Sequence, residues 1–290
     1  MSIDVLQEKI RKTRNPSVLV LEAYPDSVPP MFREETATTA KACCDYYLYL
    51  LAQLKGIVPA VRLSFGSFAL LGGEGLAVLE TLSVAAKDAG YYVLLDVPEA
   101  LSAMSAENMA SALDTDCQWY WDGIVVSAYL GSDVIKPFLP LCKQGKTLFP
   151  IVRTANRSAP EIQDLLTGAR LVHTAAADII SRQGESIMGK CGYSFVGVLA
   201  GASSANSLKA LRSKYATVFL LLDGYDYPNA NAKNCSYAFD RLGHGAAACA
   251  GVSITGAWKE TENGSADPGA AAVEAAQRMK KNLTRYITVL

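Results

Sequence analysis

Two charged residues lie at the ends of otherwise apolar runs: Asp96 closes Tyr91-Tyr-Val-Leu-Leu-Asp96, and Arg62 interrupts Pro59-Ala-Val-Arg-Leu-Ser64. A carboxylate delivered by a buried strand can act as an acid, a base or an anchor for a ligand. It also needs a partner, because a lone buried charge is costly. Arg62, on the preceding run, is the natural one. Such a pair can serve a reaction or merely tie two strands together, and the residues leave both roles open. Tyr129 and Tyr225 follow two further apolar runs, where a ring can wall a pocket and its hydroxyl can bond a ligand, or where it can pack into a core. His173 falls in a helical stretch and His244 in a Gly-flanked turn. Neither has a nucleophile or a second His near it in sequence, and no G-x-S-x-G elbow is present, so both are expected to be structural or solvated.

The elements that must position these residues alternate regularly. Short β-rich runs at 17–21, 59–64, 91–96, 123–127, 147–153, 194–200, 217–222 and 246–252 are separated by helix-compatible segments such as 74–89, with Leu76, Leu79 and Leu82 at three-residue spacing. Eight strands with helical crossovers predict an α/β fold, a single parallel (β/α)8 TIM-type barrel. No G-x-G-x-x-G follows the first run, which argues against a dinucleotide-binding sheet. No linker or charge run divides the chain, so residues 1–290 read as one domain, with elaborations near 25–56 and 157–192. Ser158-Ala-Pro-Glu161 has the form of a capping box, and Asp267-Pro268 opens an Ala-rich C-terminal helix. In a barrel of this kind the residues just past each strand carry the chemistry.

Composition narrows the classes of function. Half of the 290 residues are apolar and 19% are charged, enough for a large core and too apolar for disorder. A net charge of −1 gives no basic patch for nucleic acid or an anionic membrane surface. The polar, amphipathic opening is not a signal peptide, and no apolar stretch reaches the roughly 18 residues of a membrane span. The seven cysteines share no metal-ligand spacing and read as reduced thiols used as small hydrophobes, which implies a cytoplasmic setting.

Taken in order, several short segments carry a resemblance over nearly the whole chain. They are Asn15-Pro16, the stretch from Asp122-Gly-Ile-Val-Val-Ser127 to Pro137-Phe138, Arg153-Thr-Ala-Asn156, Gly201-Ala202, Gly224-Tyr225 and Ala257-Trp258-Lys259. In this order and spacing the chain resembles the longer, bacterial-type branch of the orotidine 5′-phosphate decarboxylases. The resemblance implies a barrel that decarboxylates a phosphorylated pyrimidine nucleotide in pyrimidine biosynthesis, with no metal and no cofactor. It also implies a dimer whose mouths face one another. The implied mechanism uses a Lys-Asp-Lys-Asp array, one Asp coming from the partner subunit, in which fixed charges at fixed positions act on the substrate.

Residue by residue, the resemblance sets Arg62 at the first Lys, Asp96 at the first Asp, Pro98 at the catalytic Lys and Leu101 at the second Asp. It sets Glu22 at the ribose-binding Asp and Ser127 at an Asn after the fourth strand. The phosphate loop falls on Asp223 to Asn229, and the phosphate-binding Arg on Val252 or Ser253. Arg62 keeps a charge but is a poor proton donor, and Pro98 donates no proton. On this alignment the mouth gathers Glu22, Asp96, Glu99, Asp223 and Asp226 against Arg62 and Arg153. Those acids either line a repurposed pocket for a cation, a metal or a neutral polar ligand, or sit on solvated loops. The candidate catalytic residues are Asp96 and Arg62. The candidate ligand-binding residues are Glu22, Ser127, Tyr129, Arg153, Asn156, Asp223 and Tyr225. The leading expectation is a pseudoenzyme or binding subunit, as a homodimer or beside an active paralogue. The alternatives are a lyase or hydrolase repurposed around Asp96, and an authentic decarboxylase with a rearranged site.

Overall fold

The computed structural model describes residues 3–97, 101–261 and 264–289. Eight parallel strands close into a barrel: β1 (Ser17–Leu21), β2 (Ala60–Ser64), β3 (Tyr92–Asp96), β4 (Gly123–Ser127), β5 (Thr147–Arg153), β6 (Val198–Gly201), β7 (Leu220–Asp223) and β8 (Ala246–Ala250). Each strand pairs with its sequence neighbours, and β8 pairs with β1 to complete the ring. The TIM-type fold expected from the alternation is the one observed. The strands read as continuous apolar runs because both faces are buried, one in the barrel interior and one under helices.

Alternation along each strand decides which residues fill the interior. Val18, Val20, Ala60, Tyr92, Leu94, Val125, Phe149, Leu199, Phe219, Leu221, Ala247 and Cys249 form one interior cluster. Their neighbours, such as Leu19, Val61, Val93, Ile124, Leu148, Val198 and Leu220, pack into the larger outer core. The same parity carries Arg62, Asp96 and Asp223 inward at the upper strand ends.

Helix α1 (Ile3–Thr13) closes the other end. Ile3, Leu6 and Ile10 form one apolar stripe that joins the interior cluster, beneath the edge-to-face rings of Phe149, Phe219 and Tyr193. The outer helices are α2 (Thr39–Gln53), α3 (Gly72–Ala89), α4 (Ala103–Thr115), α5 (Val172–Gly184), α6 (Ala205–Lys214) and α7 (Pro268–Thr284). Segment 25–56 is largely the first crossover, with α2 and the short helix Pro30–Glu34. Segment 157–192 adds the short helix Pro160–Gln163 and a two-stranded hairpin, Leu166–Thr167 with Arg170–Leu171, before α5. Among the described residues no helix is long and apolar enough to cross a membrane.

The two expected helix starts part company. Asp267 caps α7 by accepting from the Ala270 N–H at 2.9 Å. Ser158 caps nothing: the helix begins at Pro160, and the Ser158 hydroxyl takes the Asn156 amide at 3.0 Å. The side-chain capping box that does form is Ser102 with Ser105, at the start of α4. Two strands are also shorter than the sequence runs. The run from 194 pairs regularly only from Val198, and the run from 217 only from Leu220.

One surface-side ion cluster fixes α5 to α6. Asp178 accepts from Arg170 at 2.7 Å, Lys214 at 2.6 Å and Tyr215 at 2.6 Å. Burial works to raise its pKa, but these three donors prevail and hold it at about 2. A carboxylate depressed in the folded state stabilises above its unfolded value near 3.9, and that contribution disappears as pH falls toward 2. Asp178→Asn is expected to cost about 1–2 kcal/mol at neutral pH, after allowing for solvent screening. The gap from wild type should close between about pH 4 and 2. Urea midpoints measured across that range check this, and a gap that persists unchanged at low pH contradicts it.

Candidate functional site

Registry places Arg62 one layer below the carboxylates that meet it. Arg62 is level with Val20 and Leu94, whereas Asp96 is level with Ser64, at the strand tips. The long Arg side chain rises from that lower layer. Its Nε donates to both Asp96 oxygens, at 2.9 and 3.1 Å, and its Nη1 donates to Asp223 Oδ1 at 2.6 Å. One guanidinium therefore bridges β3 to β7 across the barrel. Arg62 is only 9% exposed. Burial opposes its charge, yet the two carboxylates together hold its pKa well above the usual value. Asp96 is shifted upward, because burial outweighs the pull of Arg62.

Above this floor opens a pocket of about 360 Å³, lined by Val20, Glu22, Arg62, the 223–228 turn (Tyr225 apart), Cys249, Gly251 and Val252. Glu22 stands just past β1 at the rim. Partial burial raises its carboxyl, opposed by Arg62 and reinforced by Asp223, Asp96 and Asp226. Cys249 is buried beside Arg62, and burial pushes its thiol up to about 12, so it is protonated at neutral pH and is no nucleophile. Among the described residues, no lysine lines the pocket, and Arg62 is its one cationic side chain.

The turn after β7 supplies most of one wall. Gly224 is at φ +74°, and a Cβ there would lie 2.4 Å from Ala155 Cβ and 2.6 Å from the Tyr227 ring, so both the backbone and the space require glycine. Past this left-handed residue the chain folds back. Tyr225 donates its N–H to Cys249 O at 3.2 Å, and Asp226 Oδ2 accepts the Gly251 N–H at 2.6 Å.

The expected site residues divide accordingly. Asp96, Arg62, Glu22 and Asp223 come together at the mouth. Arg153 does not join them. A register irregularity between Ile151 and Arg153 sets Arg153 opposite Ala200, a residue of the outer core. Its guanidinium forms a two-pronged pair with Asp164, at 3.0 and 2.9 Å. His173, fully buried, completes that cluster with Nδ1 3.0 Å from Asp164 and 2.9 Å from Gln163 O. Asn156 is spent in a local network with Thr154 and Ser158, and the Ser127 hydroxyl accepts from the Tyr129 N–H at 3.4 Å. Tyr129 donates to Val152 O at 2.6 Å. Tyr225 packs against the outer core, and Tyr227 takes the place expected for it on the pocket wall. Pro98 and Glu99 lie outside the described residues. Cys249 and Gly251 were not singled out from sequence, although strand parity marks both as inward-facing at the end of β8.

Chemically, four carboxyl groups, Glu22, Asp96, Asp223 and Asp226, gather at the mouth, where Asp96 and Asp223 pair with the Arg62 guanidinium. Two of them, Glu22 and Asp96, have raised affinity for a proton. The arrangement can hold or pass a proton and can accept hydrogen bonds from an amine or hydroxyl. It offers an incoming anion little, because Arg62 is already neutralised by the chain's own acids.

No family model matches the chain. It is 26% identical over 285 residues to an orotidine 5′-phosphate decarboxylase of Clostridium novyi, covering 98% of both chains. It is 27% identical to that of Clostridium kluyveri over 266 residues, 91% of this chain and 90% of the relative. Among solved structures, the orotidylate decarboxylase of Leishmania donovani superposes with a TM-score of 0.74 at 23% identity, covering 98% and 99% of the two chains. The Plasmodium berghei enzyme gives 0.75 at 11% identity, covering 98% of each. Sequence and fold alike make this chain similar, end to end, to orotidylate decarboxylases.

Proposed function

We propose that this chain is an orotidylate-decarboxylase-like barrel that works as a binding subunit, its mouth taking a small neutral or cationic ligand without a phosphate. The observation that carries this reading is the double neutralisation of Arg62 by Asp96 and Asp223 in a pocket lined by no lysine among the described residues. Decarboxylation needs a proton for the carbon that loses CO2. A guanidinium, whose pKa lies above about 12, is a poor source of it.

A second reading, an authentic lyase acting on orotidylate in pyrimidine biosynthesis, is favoured by likeness to named decarboxylases over nearly the full length of both chains. Asp96 would then act beside Arg62. The two readings part in one assay, in which purified protein, free of host enzyme, is incubated with orotidylate and UMP is quantified. We expect no turnover above background. UMP at an ordinary enzymatic rate, about 1 per second or faster, overturns the first reading in favour of the second.

For a partner we propose a second copy, or an active paralogue, seated on the arc of the mouth after β2 to β5. Exposed apolar side chains follow four successive strands there: Leu70, Leu101, Met104, Leu130 and Leu166, with Leu101 83% exposed. An exposed apolar arc of this kind supports association. Leu101→Glu with Met104→Glu is expected to turn a dimer into a monomer in analytical ultracentrifugation, with the fold retained. Identical sedimentation of variant and wild-type dimers would remove the arc from the interface.

A further inference from the structure

The turn after β7 places two carboxylates on donors that face the barrel mouth. Asp223 Oδ1 takes Arg62 Nη1 at 2.6 Å, and Asp226 Oδ2 takes the Gly251 N–H at 2.6 Å. Backbone N–H groups past the last two strands of a TIM-type barrel are common phosphate donors, and a guanidinium within reach, here Arg62 from β2, is a strong one. Here both are met by oxygens from a single four-residue stretch. Its shape is fixed rather than incidental, since Gly224 holds a left-handed conformation between Ala155 and Tyr227.

We propose that the 223–226 turn is an internal anion seated where an anionic ligand would otherwise bind, and that Asp223 and Asp226 are the residues that make this mouth refuse phosphorylated ligands. The inference rests on the reading of the mouth as a ligand pocket and adds to it the element that sets selectivity. A phosphate entering this space would have to displace two charge-assisted hydrogen bonds and then lie against the carboxylates it displaced. A neutral or cationic ligand does neither.

The test compares three proteins, wild type, Asp226→Ser and the double variant Asp223→Asn with Asp226→Ser, each checked for folding by circular dichroism. The probe is inorganic phosphate, titrated calorimetrically against potassium chloride of equal ionic strength. Wild type is expected to bind no phosphate up to about 10 mM, and the double variant to bind at least about tenfold more tightly than wild type, with Asp226→Ser between them. Adding Arg62→Gln to the double variant should abolish the gain. A folded double variant without the gain, a wild type that binds as well as the variant, or a gain that survives loss of Arg62 each overturns the proposal. Failure of the double variant removes this inference alone, whereas turnover of orotidylate by wild type removes the underlying reading as well.

Discussion

Replacing Arg62 with Met is expected to lower the unfolding free energy by about 3–5 kcal/mol, read as a large fall in the urea midpoint at neutral pH. The reason is the position of the charge. Arg62 is almost wholly buried, and among the described residues it alone pairs with Asp96 from β3 and Asp223 from β7. Removing it leaves two carboxylates at the same end of the barrel with no cation between them, and an uncompensated buried charge costs more than the intact pair contributed. The pH dependence has a definite sign. Asp96 already has a raised pKa through burial, and loss of Arg62 removes the main opposing influence. A carboxyl whose folded pKa lies above its unfolded value destabilises once ionised, so the deficit should shrink on acidification. Arg62→Lys should fall between, because one ammonium cannot match a fork that serves two carboxylates. Adding Asp96→Asn and Asp223→Asn to Arg62→Met should recover most of the loss. A single variant within about 1 kcal/mol of wild type would show that the bridge contributes little to holding the barrel mouth.

Arg212→Met is expected to cost about 3 kcal/mol or more, at the opposite end of the barrel from Arg62 and by a different route. Arg212, near the end of α6, donates to five backbone carbonyls: Ala238 at 2.7 Å, Tyr215 and Ala216 at 3.1 Å, Val218 at 2.9 Å and Gly245 at 2.7 Å. These acceptors come from the approach to β7 and the approach to β8. The guanidinium therefore ties together two strand entries that are also joined by the Leu220 N–H donating to Gly245 O at 2.9 Å. Burial lowers its pKa, with Tyr193 and Asp240 opposing. Met keeps the bulk of the stem and removes every donor, so the change isolates the hydrogen bonds. Hydrogen exchange should rise first at Leu220 and Leu221, with β3 and β4 little affected. Uniform acceleration across the barrel would mean that Arg212 supports the fold only globally.

Much of this architecture is legible in the chain because a doubly buried parallel strand needs an apolar run, and eight such runs with helices between them admit few arrangements. The pairing of Asp96 with Arg62 followed from the same logic, since a carboxylate at the end of a buried strand requires a cation within reach. What resisted reading was local backbone geometry. Arg153 was expected at the mouth, but an irregularity in β5 that leaves no mark in composition gives it to Asp164. Tyr227 rather than Tyr225 reaches the pocket wall, because the left-handed Gly224 turns the residues that follow it. Ser158 has the spacing of a cap, yet its hydroxyl is drawn to Asn156, and the Pro160 helix starts without it. Asp226 was visible as an acid but not as the acceptor of a specific N–H 25 residues later, a contact set by how two loops fold back on one another.

The closing of the barrel floor by α1 has a practical corollary for measurement. Ile3 lies under the interior cluster beside Gly189, and Thr288 lies against Gly243, so both described ends of the chain emerge on the face away from the pocket. A tag attached near either described end would therefore sit away from the pocket, so that capture through it leaves both the mouth and the arc beside it free to meet a ligand or a partner.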